Sequence, residues 1–214
     1  GAEASGADFT DADLTGALFY KTALRAAKLE RATITHAIFQ EADLTRAVLT
    51  AANGTSPVFS KANLEGAVCD RIRLQKVIAN ETVLEGASFR GAAFLEGVIA
   101  EGRAARVVLT GATLERTSFF GTNLAGAALT DVRGTGTNWM RTNLAGADFG
   151  LAVLPKAMFT EASCTKAKFY GADLREAKFC GANLDGAILA KANLLDANFT
   201  GASHGWRMRC VHLV

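Results

Sequence analysis

Residues able to do chemistry are few in this 214-residue chain, and their spacing does not gather them. Of three histidines, His36 stands alone while His204 and His212 lie near the C-terminal end, so no Ser/His/Asp or Cys/His set is indicated. Cys69, Cys164, Cys180 and Cys210 fit neither a disulfide framework nor a CxxC metal site. His204, Cys210 and His212 are donors of the kind zinc takes, but a short tail without a fourth ligand does not make a site. The run "GTGTN" at 134–138 lacks both GxGxxG and GxxxxGK[ST], so it is no phosphate loop. Asn53, Asn80 and Asn198 satisfy the N-x-Thr glycosylation rule, a weak signal because "ANFT" recurs as ordinary sequence here. Acids are spread evenly along the chain. No enzyme, metal or cofactor is expected.

The elements that hold these residues follow from an unusual period. From Phe9 to Phe199 every fifth residue forms a series of 39 centres, of which 18 are Leu, 12 Phe and two Ile. Ala occupies 26 of the positions two before a centre, and Gly 14 of the corner positions taken at the same spacing from Gly6 to Gly201. A helix would spread this period over all its faces, and a flat strand would send alternate centres to opposite sides. The chain must therefore turn a corner every five residues. Ala and the centre point inward, and the residue between them, often Asp or Asn, points out. Gly at the third turn position suits the positive φ of a type II corner. Where Lys61, Arg141 or Glu161 replaces it, a type I-like corner is expected.

Four such sides close a square coil of 20 residues, and a second periodicity supports this. Centres 19, 39, 59, 119, 159, 179 and 199 are Phe, while the series from Leu24 to Leu184 contains none. Stacked rings add offset or edge contacts to their burial. Departures fall at Gly54, Cys69, Ala79, Ala104, Gly134, Trp139 and Cys164. Gly134 is expected to make room for Trp139 in the same coil, and Cys69 and Cys164 to be inert core thiols. The least regular stretch runs from Arg71 to Arg106, where Ile72, Val77, Gly97, Gly102 and Val107 replace Ala.

The A-(D/N)-(L/F)-x-G lattice, as in "GADFTDADLTGA" and "TNLAGADF", resembles the pentapeptide-repeat family over residues 6–203. The resemblance implies an all-β, right-handed quadrilateral β-helix (a β-solenoid) of about ten coils, with residues 1–5 as an N-terminal lead and 204–214 as a cap or partner-binding tail. Coils spaced by about 4.8 Å make a rod roughly 45–50 Å long.

With the core filled, function is expected on outward positions. Leu18, Ile38, Val58, Ile78 and Val98 form a column of consecutive outward apolar residues, and Val48, Val68 and Val108 take the equivalent position on what reads as a neighbouring face. A contiguous apolar patch marks an interaction surface, although branched side chains also favour strand conformation. Trp206 and Met208 alternate with Arg207 and Arg209 in the tail, which is expected to lid the last coil or to pair with a second copy or a partner. The reading is a non-enzymatic scaffold that binds a protein partner through a flat face or an end of the rod. The start "GAEASG" is similar to mature thylakoid-lumen members, which implies an accessory subunit of a photosynthetic membrane complex; the alternative compartment is bacterial cytoplasm.

The alternative function is the family's antibiotic-protection type, an acidic DNA mimic that binds gyrase. This chain departs from it with a net charge of +2, no acidic stripe and no C-terminal helix long enough for the usual dimer. That balance also argues against direct nucleic-acid binding. No apolar run approaches the roughly 18–20 residues of a membrane-spanning helix.

Overall fold

The computed structural model describes residues 1–203, and in it every side of the chain stacks on the side twenty residues further on. Around Leu29 the pattern is plain. Lys28 N–H donates to Ala7 O of the preceding coil at 2.9 Å, Leu29 N–H to Val48 O of the following coil at 2.7 Å, and Arg31 N–H to Thr50 O at 3.0 Å. Ala32 N–H closes the corner on Leu29 O at 3.2 Å. Four of the five N–H groups of a pentad are thus used by the main chain itself.

The fifth N–H, on the residue after the centre, explains the outward Asp and Asn. Thr10 N–H donates to Asp8 Oδ1 at 3.0 Å, Thr15 to Asp13 at 3.0 Å and Thr200 to Asn198 at 2.9 Å. Every outward Asp or Asn except Asn53 accepts this bond, twelve in all. A short side-chain acceptor two residues back is the Asx arrangement, worth about 1 kcal/mol where the N–H would otherwise rely on water.

The corners differ from expectation. Gly16 has φ 70°, but Lys61, Arg141 and Glu161 also lie in the left-handed region at 59°, 56° and 56°, as do 26 non-glycine corners in all. There are no type I-like corners at these three residues. The reason is the stack: Lys61 N–H must reach Asn80 O (2.8 Å), Arg141 N–H Thr160 O (3.1 Å) and Glu161 N–H Cys180 O (2.9 Å). A change of turn type would break that bond and displace the next side, so the corner accepts a local strain of about 1–2 kcal/mol instead.

The four faces run through Phe9, Leu14, Phe19 and Leu24, and are called first to fourth in that order. Pairing starts at Glu3, which bridges Ala23. On the third face the rings stack at the coil spacing: Phe19–Phe39 at 5.0 Å, Phe39–Phe59 at 4.8 Å, Phe119–Trp139 at 4.5 Å and Phe159–Phe179 at 4.6 Å, all within 5° of parallel. Trp139 is fully buried, and its Nε1–H donates to Thr137 Oγ1 at 2.8 Å. Gly134 serves a different neighbour from the one expected. A Cβ there would lie 2.7 Å from Leu114 O, so the missing side chain admits the backbone of the preceding coil.

The irregular middle is where the coil widens. On the second face the short bridges lengthen into a parallel sheet of β1 (Asn53–Thr55), β2 (Arg73–Gln75), β3 (Ala93–Leu95) and β4 (Thr113–Glu115), in register Asn53↔Arg73↔Ala93↔Thr113. The closing corner bond is absent after Leu74, Ala79, Phe94 and Ile99. Ile72 and Val77, larger than the Ala they replace, spread the coil, while Ala79 underfills it. Together with Phe59, Leu84 and Phe94 they line an internal cavity of about 30 Å³.

Candidate protein-binding face

The column foreseen in the sequence is continuous. Leu18, Ile38, Val58, Ile78 and Val98 bridge one another in order, one per coil, and the column ends where Val98 meets Ser118. Four coil spacings of about 4.8 Å give it a length of roughly 20 Å. Leu18 is 74% exposed, Ile78 41% and Val98 39%, with Ile38 and Val58 half-buried between them. Val48, Val68 and Val108 lie on the first face, which is opposite the third and not beside it, because ten residues are two sides of the square. They form no common patch with the column. Trp206 and Met208, the tail cap and the His204, Cys210 and His212 group lie outside the described residues.

The column has a chemical cost that its sequence alone does not reveal. An outward Asp or Asn would accept the N–H two residues on; an apolar residue cannot. The N–H groups of Tyr20, Gln40, Ser60, Asn80 and Ala100 accordingly have no protein acceptor among the described residues. Five consecutive coils forgo a bond that the same face regains at Ser118, whose Oγ accepts from Phe120 N–H at 3.4 Å, and at Asn138, whose Oδ1 accepts from Met140 N–H at 3.0 Å.

One edge of this face is a row of corner charges. Lys21 reaches Glu41 at 3.4 Å and Lys61 reaches Glu81 at 3.8 Å. Tyr20, 49% exposed, lies against Lys21, whose Nζ is 5.0 Å from the ring centroid, and its hydroxyl donates to Glu41 Oε1 at 3.5 Å. The Tyr20 hydroxyl and the Glu41 carboxylate together raise the pKa of Lys21. Sequence reasoning overlooked this row; its signal was a charge alternating every twenty residues from Lys21 to Glu81 at the corner position. The opposite edge carries Gly16, His36, Ser56 and Lys76, with no such alternation.

A second surface feature lies on the next face. The sheet β1–β4 floors an open groove of about 470 Å³, bordered by Thr35, Thr55, Arg73, Gln75 and Glu115. Gly54 lies in its floor, where a Cβ would press on the Ile34 backbone at 2.8 Å. Elsewhere the groups with reactive chemistry are dispersed. Burial pushes the Cys69 thiol far up and Cys164 to about 12, so neither is a thiolate at neutral pH. Among the described residues no group of His, Cys, Asp and Glu is placed to hold a metal, and no helix is long and apolar enough to cross a membrane.

A square coil with a filled core and four flat, separately patterned sides defines a quadrilateral β-helical scaffold. The chain belongs to the pentapeptide repeat family: the model for pentapeptide repeats (8 copies) matches residues 1–31, 27–68, 105–133, 140–175 and 167–203. The unmatched intervals contain β2, β3 and the Gly134–Trp139 substitution. Among solved structures, the chain is similar to a trypsin-treated form of QnrB1, a plasmid-mediated fluoroquinolone resistance protein. The TM-score is 0.53 at 15% identity, over 90% of each chain. It is also similar to HetL, a pentapeptide repeat protein involved in heterocyst differentiation regulation in the cyanobacterium Nostoc sp. strain PCC 7120. There the TM-score is 0.49 at 27% identity, over 94% of this chain and 88% of that one. No curated protein matches the chain in sequence.

Proposed function

We propose that this protein is a non-catalytic scaffold that binds a protein partner through the apolar column on its third face. The carrying observation is the exchange made there: Leu18, Ile38, Val58, Ile78 and Val98 occupy positions where Asp or Asn would complete the local hydrogen bonding, and five N–H groups go without a protein acceptor. Packing of the rod does not require this, because the C-terminal half stacks equally well on Asn123, Asn138 and Asn143. A partner that covers the column gains apolar contact and can offer acceptors to the N–H groups beside it. Charge supports a protein partner over mimicry of duplex DNA, since the adjacent row alternates in sign and offers no polyanionic surface.

The test is affinity capture from native extract with the wild-type rod and with Ile38→Lys/Val58→Lys. Both side chains point outward, so melting of the variant is expected within a few degrees of wild type. Loss of a captured protein by at least about tenfold, with melting preserved, supports the face. Unchanged capture by the folded variant removes it.

A further inference from the structure

The charges beside the column carry the reading of that face further: they are arranged to fit a second copy of the same chain. Lys21, Glu41, Lys61 and Glu81 stack one per coil, with Lys21 paired to Glu41 and Lys61 to Glu81, and Glu101 beside Val98 lies beyond these four. This +,−,+,− order changes sign when read backwards. A row with that property is complementary to itself across a two-fold axis that reverses the rod direction and lies between its second and third members.

Two copies laid third face to third face with their axes antiparallel meet this condition. A two-fold axis in the contact plane, perpendicular to the rods and between the levels of Ile38 and Val58, brings like corners to the same edge. Lys21 then faces Glu81 of the second copy and Glu41 faces Lys61, giving four opposite-charge pairings in all. In the column Leu18 meets Ile78 and Ile38 meets Val58. On the other edge Gly16 meets Lys76 and His36 meets Ser56, so no like charges oppose each other there.

Other arrangements gain less from charge. Centring the axis on Val58 would bring Val98 into contact as well, but it sets Lys61 against itself and Glu41 against Glu81. A parallel two-fold places this row against the opposite corner row, where Glu81 would face Lys76 but Glu101 would face Glu96, so attraction and repulsion offset. Like-charge juxtaposition is the usual means by which wrong pairings are suppressed.

The geometry points to an antiparallel homodimer formed through Leu18, Ile38, Val58 and Ile78, with its register set by Lys21, Glu41, Lys61 and Glu81. This rests on the proposed reading of the third face. Four coils cover a patch of roughly 20 by 15 Å, hence a buried total of about 600 Å². Stable interfaces bury about 1,200–2,000 Å². The association is therefore weak, reversible and dependent on concentration.

Sedimentation equilibrium over micromolar to millimolar protein tests it. The wild type is expected to show a monomer–dimer equilibrium that Ile38→Lys/Val58→Lys abolishes. Lys21→Glu/Lys61→Glu makes the row all acidic and Glu41→Lys/Glu81→Lys makes it all basic; each alone is expected to dissociate at least about tenfold more readily, and an equimolar mixture to restore a heterodimer. Reversing all four charges keeps the pattern and should return the constant to within about threefold of wild type. A row that acted only within its own rod would give no rescue on mixing.

A wild type that stays monomeric overturns the inference, as does a dimer indifferent to the column substitutions, or charge variants that fail to complement. The two readings separate cleanly. If the protein is monomeric but the column variant still loses a captured protein, only the second copy is wrong. If the column variant changes neither association nor capture, both fall.

Discussion

Replacing Thr137 by valine exchanges one hydroxyl for a methyl group of nearly the same size, in a core where both Thr137 and Trp139 are fully buried. The hydroxyl is the acceptor for Trp139 Nε1–H at 2.8 Å, so the variant leaves an indole N–H in a dry core without a partner. An unmet buried donor costs about 1–3 kcal/mol, whereas the added methyl is nearly neutral in volume. For a chain of this length the melting temperature is expected to fall by about 2–4 °C per kcal/mol. Trp139→Phe alone loses the donor and part of the stack on Phe119, at a cost of about 2 kcal/mol. In Thr137→Val/Trp139→Phe no donor is left unmet, so the double variant should be more stable than the sum of the singles by about 1–2 kcal/mol. Urea denaturation followed by circular dichroism measures all four corners of the cycle. A neutral Thr137→Val, or singles that add to within about 0.5 kcal/mol, would refute the claim that this bond is what admits an indole into a column of phenyl rings.

Corner strain makes two substitutions of opposite sign. Gly16 has φ 70° with nothing near its missing Cβ, so Gly16→Ala should destabilise by about 0.5–1 kcal/mol, the strain less the unfolded-state entropy. Ala26, exposed at φ 53°, should gain a similar amount as Ala26→Gly, and two equal signs in a melting experiment would contradict a shared left-handed corner. Acid should destabilise the rod in a defined window. Thr15 hydrogen bonds lower the pKa of Asp13 and Arg175 lowers that of Asp173; at Asp43 burial pushes upward, but Thr45 and Arg25 outweigh it and the net shift is down. Carboxylates whose folded pKa lies below the unfolded value near 3.9 contribute stability that is complete above about pH 4 and is lost as pH falls through the folded values. Melting temperature should therefore be flat from neutrality to about pH 4 and drop below it, less steeply in Asp43→Asn/Asp173→Asn. A decline that starts well above pH 5 would assign the dependence to other groups.

Much of the fold was legible because its cause is local and repeated. Ala before and Leu or Phe at each fifth residue can share one interior only if a corner intervenes, and the Phe series at twenty-residue spacing reports the square directly. The corners at Lys61, Arg141 and Glu161 were misread because intrinsic preference was weighed without the stack. The bond from each corner N–H to the following coil is non-local, and it overrides the preference of a charged residue for negative φ. The site was half legible. Leu18 to Val98 could be read as outward from the period alone, but the hydrogen bond forgone beside each of them needs the role of Asp8 or Asn198 to be known first. Placing Val48 beside the column was an error of geometry, two sides of the square being opposite. The groove over β1–β4 was hidden because it depends on outward residues of four successive coils standing in register.

That missing acceptor also bears on how labour is divided along the rod. Eight of the twelve Asx bonds lie at or beyond Asn123, and only Asp8, Asp13, Asp43 and Asn63 make one before it. The column on the third face and the groove on the second both lie between Leu18 and Glu115, where only Asp43 and Asn63 make such a bond. A solenoid makes such segregation cheap. Each coil touches only its neighbours, so a locally less satisfied segment can be carried by a more satisfied one without loss of the whole. The backbone is held by ladders that no side chain supplies, which frees outward columns and corner rows to vary in polarity and sign. Selection on a surface can then act without repacking the core. On this argument the coils after Asn123 should be the last to unfold, and hydrogen exchange should protect Leu144 and Leu184 amides longer than those of Leu74 and Phe94. Uniform protection along the rod would mean that the Asx bonds do not divide it.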